Sequence, residues 1–181
     1  MDAHVPRTPP QPPELARLFI GLWPTPGLRQ AVQAQLPAWQ WPEGARPTHP
    51  SRLHLTVHFL GHLPRAWIPD LAAGLAVESP AFELMLDRAE AWRNHVAVLR
   101  PAATPPVLAA LHEALADRLR SLRLPVDERF TPHLTVARAA HGAVPPASPE
   151  PLHWPVSSYV LIDSELGPRA RYHLVQTYPL A

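Results

Sequence analysis

The tetrapeptide His-Leu-Thr-Val occurs twice in this chain of 181 residues, from His54 to Val57 and again from His133 to Val136. An extended strand turns successive side chains to opposite faces. Each copy therefore sets an imidazole and a hydroxyl side by side, His54 with Thr56 and His133 with Thr135. The aliphatic partners Leu55, Val57, Leu134 and Val136 point the other way and anchor the strands in a core. If the two strands lie next to each other, their polar faces make one cluster of two His and two Thr. The rest of the chain then serves to bring those strands together.

At this content of His and Thr, a His-x-Thr triplet arises by chance about 0.5 times, so the setting must carry the inference. The length suits one domain with a sizeable core, or one domain of two similar lobes. All 16 basic residues are Arg, against 15 acidic ones, for a formal net charge of +1. That is too little to coat long nucleic acid electrostatically, whereas an RNA end or a small phosphate ester fits. The absence of Cys excludes a disulfide framework, a thiol nucleophile and a thiolate metal site. No apolar stretch has the length of a membrane span and none resembles a secretory signal, so a cytoplasmic monomer without a membrane partner is expected.

Residues 1–14 are rich in proline and lack an apolar pattern, which predicts a disordered arm preceding a single domain over 15–181. Leu18 to Trp23 reads as a buried strand, and Thr25-Pro26 starts a helix through about Gln35, with Thr as N-cap and Pro in first position. Leu36 to Pro50 is irregular. The first His strand runs from Leu53 to Leu60 and ends at Gly61. Pro64 opens a second helix with Trp67, Ile68, Leu71 and Leu75 on its apolar stripe. Phe82 to Trp92 and His95 to Arg100 alternate as two strands of a hairpin. Leu108, Leu111, Leu115 and Leu119 mark a helix over Val107 to Leu122. The second His strand spans Phe130 to Arg138. A Pro-rich loop, His141 to Pro155, precedes strands at Val156 to Asp163 and Arg171 to Tyr178. The pattern is α+β, and one motif strand lies in each half of the chain. Two lobes about an approximate two-fold axis, with the motifs meeting in a central cleft, is the economical arrangement.

Two imidazoles facing one cleft suit phosphoryl transfer by general acid–base catalysis, because an ordinary pKa near 6.5 lets one be neutral and the other protonated close to pH 7. Thr hydroxyls can donate to non-bridging phosphate oxygens, and an Arg adds charge and a bidentate grip. A metal reading competes, since His54, His58 and His62 are spaced by four. That spacing aligns ligands on a helix, however, and these residues sit on a strand.

Four stretches together are far more specific than the triplet. They are the opening Arg17-Leu18-Phe19-Ile20; the run Leu53 to Gly61, which closes on Phe-Leu-Gly; the run Arg129 to Arg138, with Pro132 before and Arg138 after the motif; and Ile162 to Leu166 followed by Tyr172. In these the chain resembles the two-histidine (2H) phosphoesterases, most closely their RNA 2′,3′-cyclic phosphodiesterase branch, also called the 2′-5′ RNA ligase family. The resemblance covers Arg17 to about Leu180. It implies a bilobal fold of two pseudo-symmetric lobes with antiparallel sheets around a central cleft, no metal or other cofactor, and opening of a cyclic phosphate to a 2′-phosphate. It also implies catalytic roles for His54 and His133 and phosphate contacts from Thr56, Thr135 and Arg138. Strict alternation would put Arg138 on the face opposite His133, so it reaches the cleft only if the strand bends or ends there. The loop before Tyr172 reads Gly167 to Arg171, where such proteins usually carry more Gly, so the rim is expected to differ.

The reading is a metal-independent phosphodiesterase acting on RNA ends or small cyclic nucleotides, with His133 as the base that activates water and His54 as the acid that protonates the leaving 3′ oxygen, two roles that exchange if the substrate lies the other way round. The same machinery allows the reverse reaction, 2′-5′ joining of RNA ends. A base would stack on an aromatic ring at the rim, for which Phe19, Trp23 and Trp41 are the candidates, and Tyr172 is a further substrate-binding candidate. The rival is a nucleotide- or RNA-binding module on the same fold that performs no turnover; retention of both His-x-Thr motifs argues against it.

Overall fold

A computed structural model describes residues 14–166 and 171–181. Its main sheet follows the order β10-β9-β1-β3-β7-β6-β5, with a short β2 also paired to β7. These strands are β1 (Leu15–Leu22), β2 (Arg46–Pro47), β3 (Leu55–Pro64), β5 (Arg88–Ala91), β6 (Val96–Arg100), β7 (Leu134–Arg138), β9 (Ser158–Ser164) and β10 (Tyr172–Pro179). A separate two-stranded ribbon pairs β4 (Phe82–Leu86) with β8 (Leu152–Val156). The helices are α1 (Pro26–Gln35), α2 (Ile68–Gly74) and α3 (Pro106–Ser121). Every pairing is antiparallel. Among the described residues, no helix is long and apolar enough to cross a membrane.

The sheet has two halves, β10-β9-β1-β3 and β7-β6-β5, and they join through a single residue pair, Leu55 with Leu134. Both residues are fully buried and both open their strands, so β3 and β7 meet at their starting ends and run away from each other. The two expected lobes therefore share one hydrogen-bonded path that crosses between the two motifs. Leu108, Leu111, Leu115 and Leu119 of α3 are all buried in the same core as Leu55 and Leu134. Thr25 caps α1, its hydroxyl accepting from the Leu28 N–H at 3.3 Å.

Several details differ from the sequence reading: β7 starts at Leu134 and not at Phe130, β3 starts at Leu55 and not at Leu53, and β2 lies in the stretch read as irregular. β3 does not end at Gly61; it continues to Pro64, with Leu60 bulged out of the β1 register and Gly61 at φ +79°, a conformation glycine adopts without steric cost. Phe82 to Trp92 is not one strand. It breaks at Asp87, so that β4 leaves for the ribbon while β5 keeps its hairpin with β6. The Pro-rich loop contains a strand, β8, with Leu152, Trp154 and Val156 inward and Pro155 outward. A two-stranded ribbon consists only of edges, where a proline removes no ladder bond that is needed. The proline-rich arm, apart from Glu14, and residues 167–170 of the rim loop lie outside the described residues.

Candidate active site

The antiparallel register through Leu55 and Leu134, carried one residue to either side, sets His54 opposite Thr135 and Thr56 opposite His133. Directly opposed residues point to the same face, so each imidazole stands beside the hydroxyl of the other motif. The two copies of His-Leu-Thr-Val are related by the local two-fold that an antiparallel pair always has.

Both rings are held in the same way. His54 Nδ1 lies 2.7 Å from the carbonyl oxygen of Arg52, and His133 Nδ1 lies 2.7 Å from that of Thr131. A carbonyl only accepts, so each Nδ1 carries a hydrogen and each Nε2 is left for substrate. An aromatic ring supports each imidazole at the same distance, Phe19 at 4.6 Å from His54 and Trp92 at 4.6 Å from His133. Tyr172 meets His54 edge-on at 5.4 Å, and Trp23 stacks at 6.4 Å. Burial pushes the pKa of His54 down to about 4, against the pull of the Arg52 carbonyl, and the charges of Arg138, His133 and Arg17 push the same way. His133 is lowered too, by burial first and then by Arg138. In the free site both imidazoles are therefore neutral at pH 7.

Arg138 reaches the cleft because β7 bulges. Ala137 pairs with Ala97 and Thr135 with Val98, which leaves Val136 as the extra residue. The Thr48 N–H satisfies its carbonyl at 2.8 Å. Val136 and Ala137 are then both buried, and Arg138 returns to the face of Thr135. β3 does the same at Val57: Ile20 pairs with His58 and Gly21 with Thr56. The first five residues of β3 and the five of β7 share one burial pattern, and the place of Arg138 is taken in β3 by the exposed Phe59, over which Arg17 lies at 4.6 Å.

A cleft of about 610 Å³ opens at this face, lined by Arg46, Pro47, Thr48, Arg52, His54, Thr135, Arg138, Ala139 and Tyr172. Among the described residues the lining holds three arginines and no acidic residue, which makes it a site for anions. Of the residues singled out from sequence, His54, Thr135, Arg138 and Tyr172 are in its walls. His133 and Thr56 stand beside it across the Leu55–Leu134 pair. Phe19, only 2% exposed, forms the floor under His54 and offers no face to a base. Trp41 stacks on Trp39 at 4.9 Å, and its Nε1 donates to the Leu36 carbonyl, so it packs the connection. The alternative metal set does not converge. His58, past the bulge, turns into the core and stacks on His112 at 4.1 Å, and among the described residues no group of three His, Cys, Asp or Glu could hold an ion. Sequence reasoning missed Arg46, Arg52 and Trp92. Trp92 follows β5, and its place beside His133 depends on β6 pairing with β7, which the sequence does not announce.

The profile of the 2′-5′ RNA ligase superfamily matches residues 49–167. An RNA 2′,3′-cyclic phosphodiesterase of Thermus thermophilus is 34% identical over 88% of this chain and 87% of its own. One of Escherichia coli is 32% identical over 72% and 76%. The crystal structure of E. coli LigT complexed with 3′-AMP superposes with a TM-score of 0.82, at 27% identity, over 93% of this chain and 99% of that one.

Proposed function

The chain belongs to the 2′-5′ RNA ligase superfamily, and from that membership we propose that it hydrolyses RNA or nucleotide 2′,3′-cyclic phosphates to 2′-phosphates by a two-histidine acid–base mechanism. The observation that carries the mechanism is the matched pair of imidazoles. Each is tied through Nδ1 to the carbonyl two residues back, and each keeps Nε2 for substrate beside the other motif's threonine.

Water attacks phosphorus and gives its proton to Nε2 of His133, the more open ring. The bond from phosphorus to O3′ breaks as Nε2–H of His54 protonates that oxygen, leaving a free 3′-hydroxyl and a 2′-phosphate. Thr56 and Thr135 donate to the non-bridging oxygens, and Arg138 balances their charge. In the empty cleft at pH 7 Nε2 of His54 is unprotonated, so it takes up its proton from solvent as the phosphate binds, the negative charge favouring the imidazolium. An imidazolium buried beside Arg138 gives up its proton readily, which suits it to protonate an alkoxide. Each proton transfer is worth about two to four powers of ten in rate. With a 5′-hydroxyl in place of water, the same two transfers open the cyclic phosphate into a 2′-5′ linkage and leave a free 3′-hydroxyl.

The test is hydrolysis of adenosine 2′,3′-cyclic phosphate with excess chelator, the product isomer being identified by ³¹P NMR. Adenosine 2′-phosphate is expected. Tight binding of the nucleotide without turnover would favour a binding module instead, and the 3′-phosphate would mean that the other bond breaks.

A further inference from the structure

Residues 46–52 form one wall of the cleft, running from β2 to the start of β3. Arg46 is the antiparallel partner of Arg138 across β2 and β7, so the two side chains leave the sheet on the same face. Arg52 ends a short 3₁₀ turn two residues before His54; its carbonyl orients that ring, and the residue lines the cleft. Among the described residues, none of Arg46, Arg52 and Arg138 has a carboxylate within 4.0 Å, although Arg65, Arg100, Arg120 and Arg129 are all paired elsewhere on the molecule. Three unpaired guanidinium groups in one cleft repel one another until anions fill it.

One phosphate does not account for three. Arg138 is on the motif strand itself, brought by the Val136 bulge to the face of Thr135 in the cleft that His54 lines, which places it at the reacting group. We infer that Arg46 and Arg52 form a second anion subsite, which takes the phosphodiester on the 5′ side of the terminal nucleoside, so that the preferred substrate is an RNA end and not a lone cyclic nucleoside phosphate. The inference rests on the reading that the histidines flank the reacting phosphate. In an RNA chain the next phosphate lies one sugar away from the terminal ring, and a guanidinium fork matches its two free oxygens.

Binding tests it without turnover. Titration calorimetry compares adenosine 2′-phosphate with the same nucleotide carrying a 5′-(methyl phosphate) diester, which adds a chain-like monoanion and no second base. The diester is expected to tighten binding to the wild-type chain by about ten- to a hundredfold, the range for charge-assisted hydrogen bonds. In Arg46→Gln/Arg52→Gln that ratio should fall below about threefold. Each single variant should lose part of it, which keeps the test open if the double variant does not fold. Equal affinity of the wild type for the two ligands, or a ratio preserved in the variants, overturns the subsite. A wild-type chain that binds but never hydrolyses would overturn the reaction above and leave this ratio to decide the subsite.

Discussion

Leu55 and Leu134 are the one residue pair through which β3 and β7 are joined, and each lies immediately after a motif histidine. The hydrophobic anchor and the chemistry thus occupy opposite faces of the same few residues. Burying the two leucines fixes the register. The register in turn sets each imidazole against the partner motif's hydroxyl, since a slip of either strand by one residue would turn its histidine into the core. Bulges at Val57 and Val136 then reset the alternation on both sides of the pair. Of the two residues brought back to the cleft side, only Arg138 is charged.

His54→Ala and His133→Ala should each lower kcat on a 2′,3′-cyclic nucleotide by about two to four powers of ten, with unchanged circular dichroism. Residual rates separate the roles. In His54→Ala the remaining activity should rise with pH as His133 deprotonates; in His133→Ala it should fall as His54 loses its proton. Retention of activity within about threefold in either variant would remove that residue from the pair.

Arg138→Gln keeps a polar side chain and removes the charge that depresses both imidazoles. Their pKa values, followed by NMR titration, should move up together, without reaching the ordinary value of about 6.5 because burial, the larger cause, remains. Activity should fall by about ten- to a hundredfold. Arg138→Lys should return the imidazole values and only part of the activity, since an ammonium lacks the planar fork. Imidazole values that ignore both substitutions would place Arg138 outside the site.

The two motif strands, the helices and the meeting of the histidines were legible because each depends on local periodicity or on a short motif. What was not legible depends on pairing. The Val136 bulge is defined by two residues opposing one on β6, and no feature of Thr-Val-Ala-Arg announces it; parity alone argues against Arg138. Arg46 and Arg52 sit in a stretch with no period, and they gain meaning only when β2 pairs beside Arg138. Phe19 reads as an aromatic near the site, which it is, but its burial comes from Val160 and Ile162 far along the chain. The proline content of 141–155 hid β8, because prolines argue against a strand unless that strand is an edge.

Gly21 is where β1 passes closest to the first motif. A Cβ built there would lie 2.6 Å from the Leu55 carbonyl oxygen, and backbone cannot move aside as a side-chain tip can. Gly21→Ala should therefore displace the strand carrying His54, costing about 1–3 kcal/mol in stability and lowering kcat. Gly27 in α1 has nothing within 4 Å of such a Cβ, so Gly27→Ala should leave activity alone and be neutral or slightly stabilising. Urea unfolding and a rate measurement on each variant check the contrast; equal behaviour of the two would mean that the β1–β3 approach does not constrain the site.

His58 gives the fold an acid-sensitive point apart from catalysis. Its ring is 4% exposed, and its Nε2–H donates to the His112 carbonyl at 2.9 Å. It stacks on His112, which itself stacks on Phe130 at 4.4 Å. Burial lowers its pKa, against the raising effect of that carbonyl. In the unfolded chain the value returns to about 6.5. Above that pH His58 is neutral in both states and the fold has its full stability. As pH falls below about 6.5 the unfolded chain takes up the proton first, and stability drops by at most about 1.4 kcal/mol per pH unit for this group until the folded value is passed. His54 and His133 carry the same sign and add to the slope. His58→Phe keeps an aromatic ring in the stack and cannot titrate. The loss of unfolding free energy between pH 7.5 and 5.0, measured in urea, should therefore be smaller in the variant. An identical loss in both proteins would show that His58 is protonated as easily folded as unfolded.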